Sequence, residues 1–143
     1  MKVPLLRVSV VREGSAQVDV LVDSPRQVWG IVRGLVGSDE REHFYVFHLD
    51  AHKRVRGIQL VSIGTLTASL VHPREVFRAA IINGAAEIIV AHNHPSGDQT
   101  PSPEDRETTR RLKQVGKLIG IPLIDHVIVA GERYMSFHEG ALL

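Results

Sequence analysis

The chain contains no cysteine. That excludes a disulfide scaffold and a thiolate metal site, and it fits a reducing compartment, so a cytoplasmic protein is expected. Long apolar runs are missing too. None reaches the roughly 18 residues that a membrane helix needs. The N-terminal stretch Met1–Val11 is interrupted by Pro4, Arg7 and Ser9, so it lacks the core of a signal peptide. Charge of one sign is not in excess: 17 Lys and Arg against 16 Asp and Glu leave a formal charge of +1, which gives no strong pull toward nucleic acid or a membrane surface. Internal repeats and low-complexity segments are absent. What remains is 143 residues with a hydrophobic share of 43%, enough for the core of one domain spanning residues 1–143.

Hydrophobic spacing divides that domain into elements. Leu6, Val8 and Val10 alternate with Arg7, Ser9 and Val11, which predicts a strand with one buried face. Arg12 to Asp23 reads as a loop. Ser24-Pro25 is a cap followed by proline, and Val28, Trp29, Ile31, Val32, Leu35 and Val36 form a helical stripe that Gly37 stops. Trp29 belongs to that stripe and is expected in the core. Glu42 to Asp50 is apolar on both faces and predicts an interior strand. Val55 to Ile63 returns as a strand, Gly64 marks a bend, and Thr65 to Val71 reads as extended. His72-Pro73 opens a helix that ends at Gly84. A strand at Glu87–Ala91 follows, then a helix from Pro103 to about Ile119 stopped by Gly120. Ile121 to Ala130 and Arg133 to Phe137 close the chain as a hairpin across Gly131-Glu132. The order β-α-β-β-β-α-β-α-β-β predicts an α/β (α+β) domain, a mixed sheet flanked by helices.

One stretch carries chemistry. His92 and His94 stand at i and i+2 where the strand from Glu87 ends, so both imidazoles point to one side. Pro95 and Gly97 turn the chain. Ser102-Pro103 starts the next helix, and Asp105 falls in its first turn, where the helix dipole favours a carboxylate. Two imidazoles and one carboxylate meeting in a small volume suit a zinc ion with an open fourth position. The same residue types also serve as polar loop residues and ordinary helix caps.

The string His92-x-His94-Pro95, six residues, Ser102, two residues, Asp105 resembles the zinc motif of the JAB/MPN (JAMM) metallopeptidases. Glu42-His43-Phe44, Val61–Leu66, Val71–Phe77, His92–Gly97 and Leu123–His126 are similar to the RadC-like branch of that family, in order over nearly the whole chain. The resemblance implies a JAB/MPN (cytidine-deaminase-like) fold. It implies Zn2+ held by His92, His94 and Asp105, with Glu42 as the general base acting on zinc-bound water that attacks an amide carbonyl. It further implies that the Ser102 hydroxyl stabilises an oxyanion beside its capping role. Spacing alone does not choose Glu42 over Glu40; the family pattern does.

The expected function is therefore a zinc metallopeptidase or isopeptidase acting on a peptide or protein. A DNA-repair or DNA-binding protein of the RadC type is the alternative. Larger members of the branch carry an N-terminal helix-hairpin-helix region. This chain opens near the start of the catalytic domain and is expected to have no such module. Arg106, Arg110, Lys113 and Lys117 form a basic stripe on the last helix, which reads as a solvated face before a phosphate contact. Two histidines and a carboxylate also form the triad of Fe(II) oxygenases, and a metal-keeping binding module would need no turnover. Asp125-His126 could support a metal histidine through its second ring nitrogen or form a structural pair. Arg74 and Glu75 read as structural, Ser96 and Gly97 as shaping access to the site. His43, His48, His52 and His138 receive no role.

Overall fold

The strand His43–Leu49 (β1) is buried at every position, as its two apolar faces require. The computed structural model describes residues 1–15, 21–64 and 71–143. Within them the order is α1 (Pro25–Val36), β1, β2 (Val55–Ile63), α2 (Pro73–Ile82), β3 (Glu87–Asn93), α3 (Pro103–Ile119), β4 (Leu123–Ala130) and β5 (Arg133–Ser136). The described strands form one sheet, β2-β1-β3-β4-β5. β1 runs antiparallel to β2 and β3, β3 and β4 are parallel, and β4 and β5 form the antiparallel hairpin. The parallel pair is joined through α3, as a crossover of this kind requires. The result is a mixed sheet with helices on both faces, the architecture expected from the order of elements and consistent with a JAB/MPN fold.

Alternation along β1 divides the core in two. Phe44 and Val46 pack with Val76, Phe77 and Ala80 of α2, Leu112 of α3, and Ile88 and Val90 of β3. Tyr45, Phe47 and Leu49 pack on the other face with Val28 and Val32 of α1 and with Val127 and Val129 of β4. Trp29 lies against this second cluster half-buried. Its Nε1 donates to the Gly131 carbonyl at 3.0 Å, and the Arg26 and Arg33 guanidinium groups flank its ring. It is thus core on one side and a cation-flanked ring on the other.

Three boundaries differ from expectation. The alternating segment at Leu6–Val11 is not a strand; Leu5, Leu6, Val8, Val10 and Val11 are exposed. Alternation describes a strand only where a sheet edge supplies hydrogen bonds and cover, and the segment pairs with no strand among the described residues. β3 continues through His92 and Asn93, because its pairing with β1 and β4 extends to them. β4 begins at Leu123, after Pro122. The extended reading of Thr65 to Val71, and part of the loop from Arg12 to Asp23, lie outside the described residues.

α3 passes close to the chain that enters β4. A Cβ on Gly116 would stand 2.5 Å from the Ile121 carbonyl oxygen and 3.2 Å from the Leu123 nitrogen. Alanine gains roughly 1 kcal/mol of helix propensity over glycine, but backbone atoms in a packed core yield little. Gly116→Ala is therefore expected to cost about 1–3 kcal/mol net, read from the midpoint of urea unfolding; a variant as stable as the parent would refute the close approach.

His48 is 3% exposed, with Nδ1 at 3.0 Å from Asn83 Nδ2, while its Nε2 has no partner among the described residues. Burial lowers its pKa to about 4. The folded value lies below the unfolded one, so this stability is complete above about pH 6.5 and is lost as pH falls toward 4. Between pH 7 and pH 4.5 the group should cost the fold about 2 kcal/mol. His48→Gln is expected to flatten that part of the acid profile, measured by urea unfolding at the two pH values. Equal losses in both proteins would remove His48 as the cause.

Candidate metal centre

The end of β3 and the start of α3 meet because the turn between them is tight. His94 N donates to Val129 O at 2.8 Å, and Gly97 N to His94 O at 3.0 Å, with Gly97 at φ +82° where glycine is favoured. Ser102 caps α3: its hydroxyl accepts from Asp105 N at 3.0 Å, and Asp105 Oδ2 accepts from Ser102 N at 2.9 Å. This reciprocal cap turns the Asp105 carboxylate back toward the strand end. Sequence spacing anticipated both features.

His92, His94 and Asp105 converge. His92 Nε2 lies 3.0 Å from His94 Nε2 and 3.1 Å from Asp105 Oδ1, and His94 Nε2 lies 3.1 Å from Asp105 Oδ2. The three residues can hold one metal ion. Zinc bonds of about 2.0–2.1 Å in a tetrahedron set their ligand atoms roughly 3.3 Å apart, so a small adjustment of the shell separates this arrangement from a loaded one. The chemistry of the donors fits a cation. His94 Nδ1 lies 2.7 Å from the Asp98 carbonyl oxygen, which can only accept. In the neutral ring Nδ1 therefore carries the proton, and the Nε2 that faces Asp105 is bare.

Electrostatics follow the geometry. Burial pushes the Asp105 carboxyl up, but the facing imidazoles of His92 and His94, as donors when protonated, and the Ser102 N–H outweigh burial and hold it well below the usual carboxylate range. A second proton on the His94 ring would make Nε2–H a donor to Asp105, and that bond raises the His94 pKa against burial; the Asp98 carbonyl and the charge of Glu42 act in the same direction.

Glu42 stands immediately before β1, half-buried, with its carbonyl accepting from Gly64 N at 2.8 Å. Phe44 pairs with His92 in the antiparallel register. Two residues back along β1 therefore lies level with two residues on along β3, which brings Glu42 beside His94. Asn93 fixes this junction. Its Oδ1 accepts from His43 N at 2.7 Å and its Nδ2 donates to Arg41 O at 3.0 Å. One buried amide thus grips the backbone on both sides of Glu42. Sequence reading passed over Asn93. Its only signal was a polar residue, between two histidines, on the opposite face of a strand otherwise apolar.

The pair Asp125-His126 divides its work. Asp125 accepts from His126 N and His138 N and from the Ser136 hydroxyl at 2.6 Å, so it fastens β4 to β5 and the tail. His126 is fully buried and reaches the site: its Nε2 lies 2.7 Å from His92 Nδ1, and its Nδ1 lies 2.6 Å from the Thr109 hydroxyl. Thr109 was not singled out in sequence either; it looks like any threonine inside a helix. Glu75 pairs with Arg78, and the Arg74 N–H bonds to the capping His72 ring, both structural roles. Arg106, Arg110, Lys113 and Lys117 are exposed on α3, with Arg110 paired to Glu107. A cleft of about 600 Å³ between α2 and α3, lined among others by Phe77, Ile81, Val115, Arg74, Arg78 and Arg111, contains none of the ligand residues. Among the described residues no helix is long and apolar enough to cross a membrane.

Comparison with known proteins adds the family. The profile of the RadC-like JAB domain matches residues 22–142. A UPF0758 protein of Symbiobacterium thermophilum is 52% identical over 120 residues, which cover 84% of this chain and 51% of that protein. A UPF0758 protein of Rubrobacter xylanophilus is 47% identical over 137 residues, covering 96% of this chain and 59% of the relative. One from Desulfitobacterium hafniense is 45% identical over 123 residues, covering 86% of this chain and 54% of the relative. The chain spans between half and three-fifths of the length of these curated relatives. With most of its length matched by the profile and a candidate ligand triad in place, the chain belongs to the RadC-like JAB domain family.

Proposed function

We propose that the chain is a zinc-dependent hydrolase that cleaves an amide or isopeptide bond in a peptide or protein. The observation that carries this reading is the convergence of two imidazoles and one carboxylate beside a glutamate outside the triad. His92, His94 and Asp105 would hold the ion. A zinc ion so held supplies a Lewis acid and lowers the pKa of water toward 7.

The remaining steps belong to the protein. Glu42, level with His94 and not among the ligands, is placed to take a proton from water and to return it to the departing amine. The Ser102 hydroxyl accepts from Asp105 N, so its own hydrogen stays free to donate to an oxyanion. Asn93 holds the backbone on both sides of Glu42 and so sets where its side chain starts.

Metal analysis of tag-free protein, followed by an amide-hydrolysis screen of zinc-loaded protein against Glu42→Ala, tests this. Turnover that depends on both zinc and Glu42 supports it. Iron in place of zinc points to the oxygenase triad. Turnover that persists without zinc, or no metal after zinc is supplied, overturns it; zinc-dependent turnover that survives Glu42→Ala removes Glu42 as the base.

A further inference from the structure

We propose that Thr109 and His126 are positioning residues that fix the tautomer of His92, so that its Nε2 is bare toward the metal position. The inference rests on the metal-site reading above and deepens it.

Hydrogen-bond direction determines where each proton sits. The Thr109 hydroxyl has one hydrogen and two close partners, the Asp105 carbonyl oxygen at 2.7 Å and His126 Nδ1 at 2.6 Å. A carbonyl oxygen can only accept, so the hydrogen goes to Asp105 O. The hydroxyl then offers His126 a lone pair, and His126 Nδ1 must carry a proton. His126 is 0% exposed, and its ring bonds to Thr109 and His92 rather than to a carboxylate, an environment that keeps an imidazole neutral. Its Nε2 is therefore bare and can only accept. His92 Nδ1, 2.7 Å away, must donate to it. His92 is left with a bare Nε2, 3.1 Å from Asp105 Oδ1.

This relay begins on the carbonyl of one ligand residue and ends on the ring of another. It ties the first turns of α3 to β4 and then to β3. The His126 ring cannot easily turn over to reverse the order, because Phe137 stacks on it at 4.8 Å with 12° between the planes. His94 obtains the same result from a single carbonyl, that of Asp98. His92 lies deep in the sheet and needs the longer route. Outer partners of metal histidines commonly act in this way, by orienting the ring and settling which nitrogen is free.

The test uses Thr109→Val, which keeps the shape and removes the hydroxyl, and Thr109→Ser, which restores it. Nitrogen-15 NMR of the imidazoles in metal-free protein, at a pH where the histidines are neutral, reads the tautomer. Zinc affinity is read by competition with a chelator. The wild type is expected to show His92 protonated on Nδ1. Thr109→Val should populate the other tautomer and weaken zinc binding about 10–100-fold, with the circular dichroism spectrum unchanged. Thr109→Ser should return to within about twofold of the wild type, a rescue that loss of packing alone does not predict. A wild-type His92 protonated on Nε2, or a Thr109→Val protein with wild-type tautomer and affinity, would overturn the proposal. If the wild type bound no zinc, the metal reading would fail by itself, and the tautomer measurement would still decide the relay.

Discussion

The wild type is expected to bind close to one zinc per chain, and His92→Ala and Asp105→Asn are each expected to lose it. A zinc site is worth about 10–16 kcal/mol in apparent binding free energy. Shared among three protein ligands and a water, that is roughly 2.5–4 kcal/mol per ligand, or on the order of 10²- to 10³-fold in affinity. Asparagine is the better substitution for Asp105, because that residue does two jobs. Its Oδ2 closes the α3 cap on Ser102 N, and a cap is itself worth about 1 kcal/mol. The amide of the Asp105→Asn variant keeps an oxygen for the cap while surrendering the charge, so a lost ion can be told from a frayed helix. Mass-spectrometric metal analysis reads occupancy, and chelator competition reads affinity. Wild-type zinc content in both variants would mean that the three side chains converge without binding an ion, and the site would reduce to a capped helix beside a strand end.

The readable part of the site is the part that lies close together in sequence. His92, His94, Ser102 and Asp105 fall on one strand end and the next helix start, and elementary rules of alternation and capping bring them together. Both faces of β1, the starts of α1, α2 and α3 at Ser24, His72 and Ser102, and the glycines that follow α1 and α3 are equally local and appear where expected. Glu42 is different. It reaches the site through strand pairing with partners some fifty residues away, and only the family resemblance selected it over Glu40. Asn93 and Thr109 act through contacts across elements; the sequence offers Asp125-His126 as a support for a metal histidine or a structural pair, but no spacing rule connects residue 92 with residue 126. The misread segment at Leu6–Val11 shows the converse. Its alternation is as regular as that of any true strand, but a pattern of faces cannot say whether a partner strand is present to receive it.

Glu42→Ala is expected to keep its zinc and lose hydrolysis, the opposite pairing to the ligand variants. General acid–base catalysis contributes typically 10²–10⁴-fold, and a fall of that size in turnover, with metal content unchanged, is the expected signature. The structure gives reasons to expect a clean separation. Glu42 is not one of the three converging ligand residues, and its charge acts on His94 from beside the group. Its backbone is held independently of its side chain, by Gly64 N on the Glu42 carbonyl and by the Asn93 amide on residues 41 and 43. Truncating the side chain therefore leaves the strand junction in place. Glu42→Gln sharpens the measurement: it fills the same space and keeps a hydrogen-bonding group, so the proton transfer is all that is removed. If both variants lost metal together with activity, Glu42 would be a fourth ligand, the open position would not exist, and the hydrolytic reading would fall with it. If Glu42→Gln retained full turnover, the base would have to be sought elsewhere on the rim of the site.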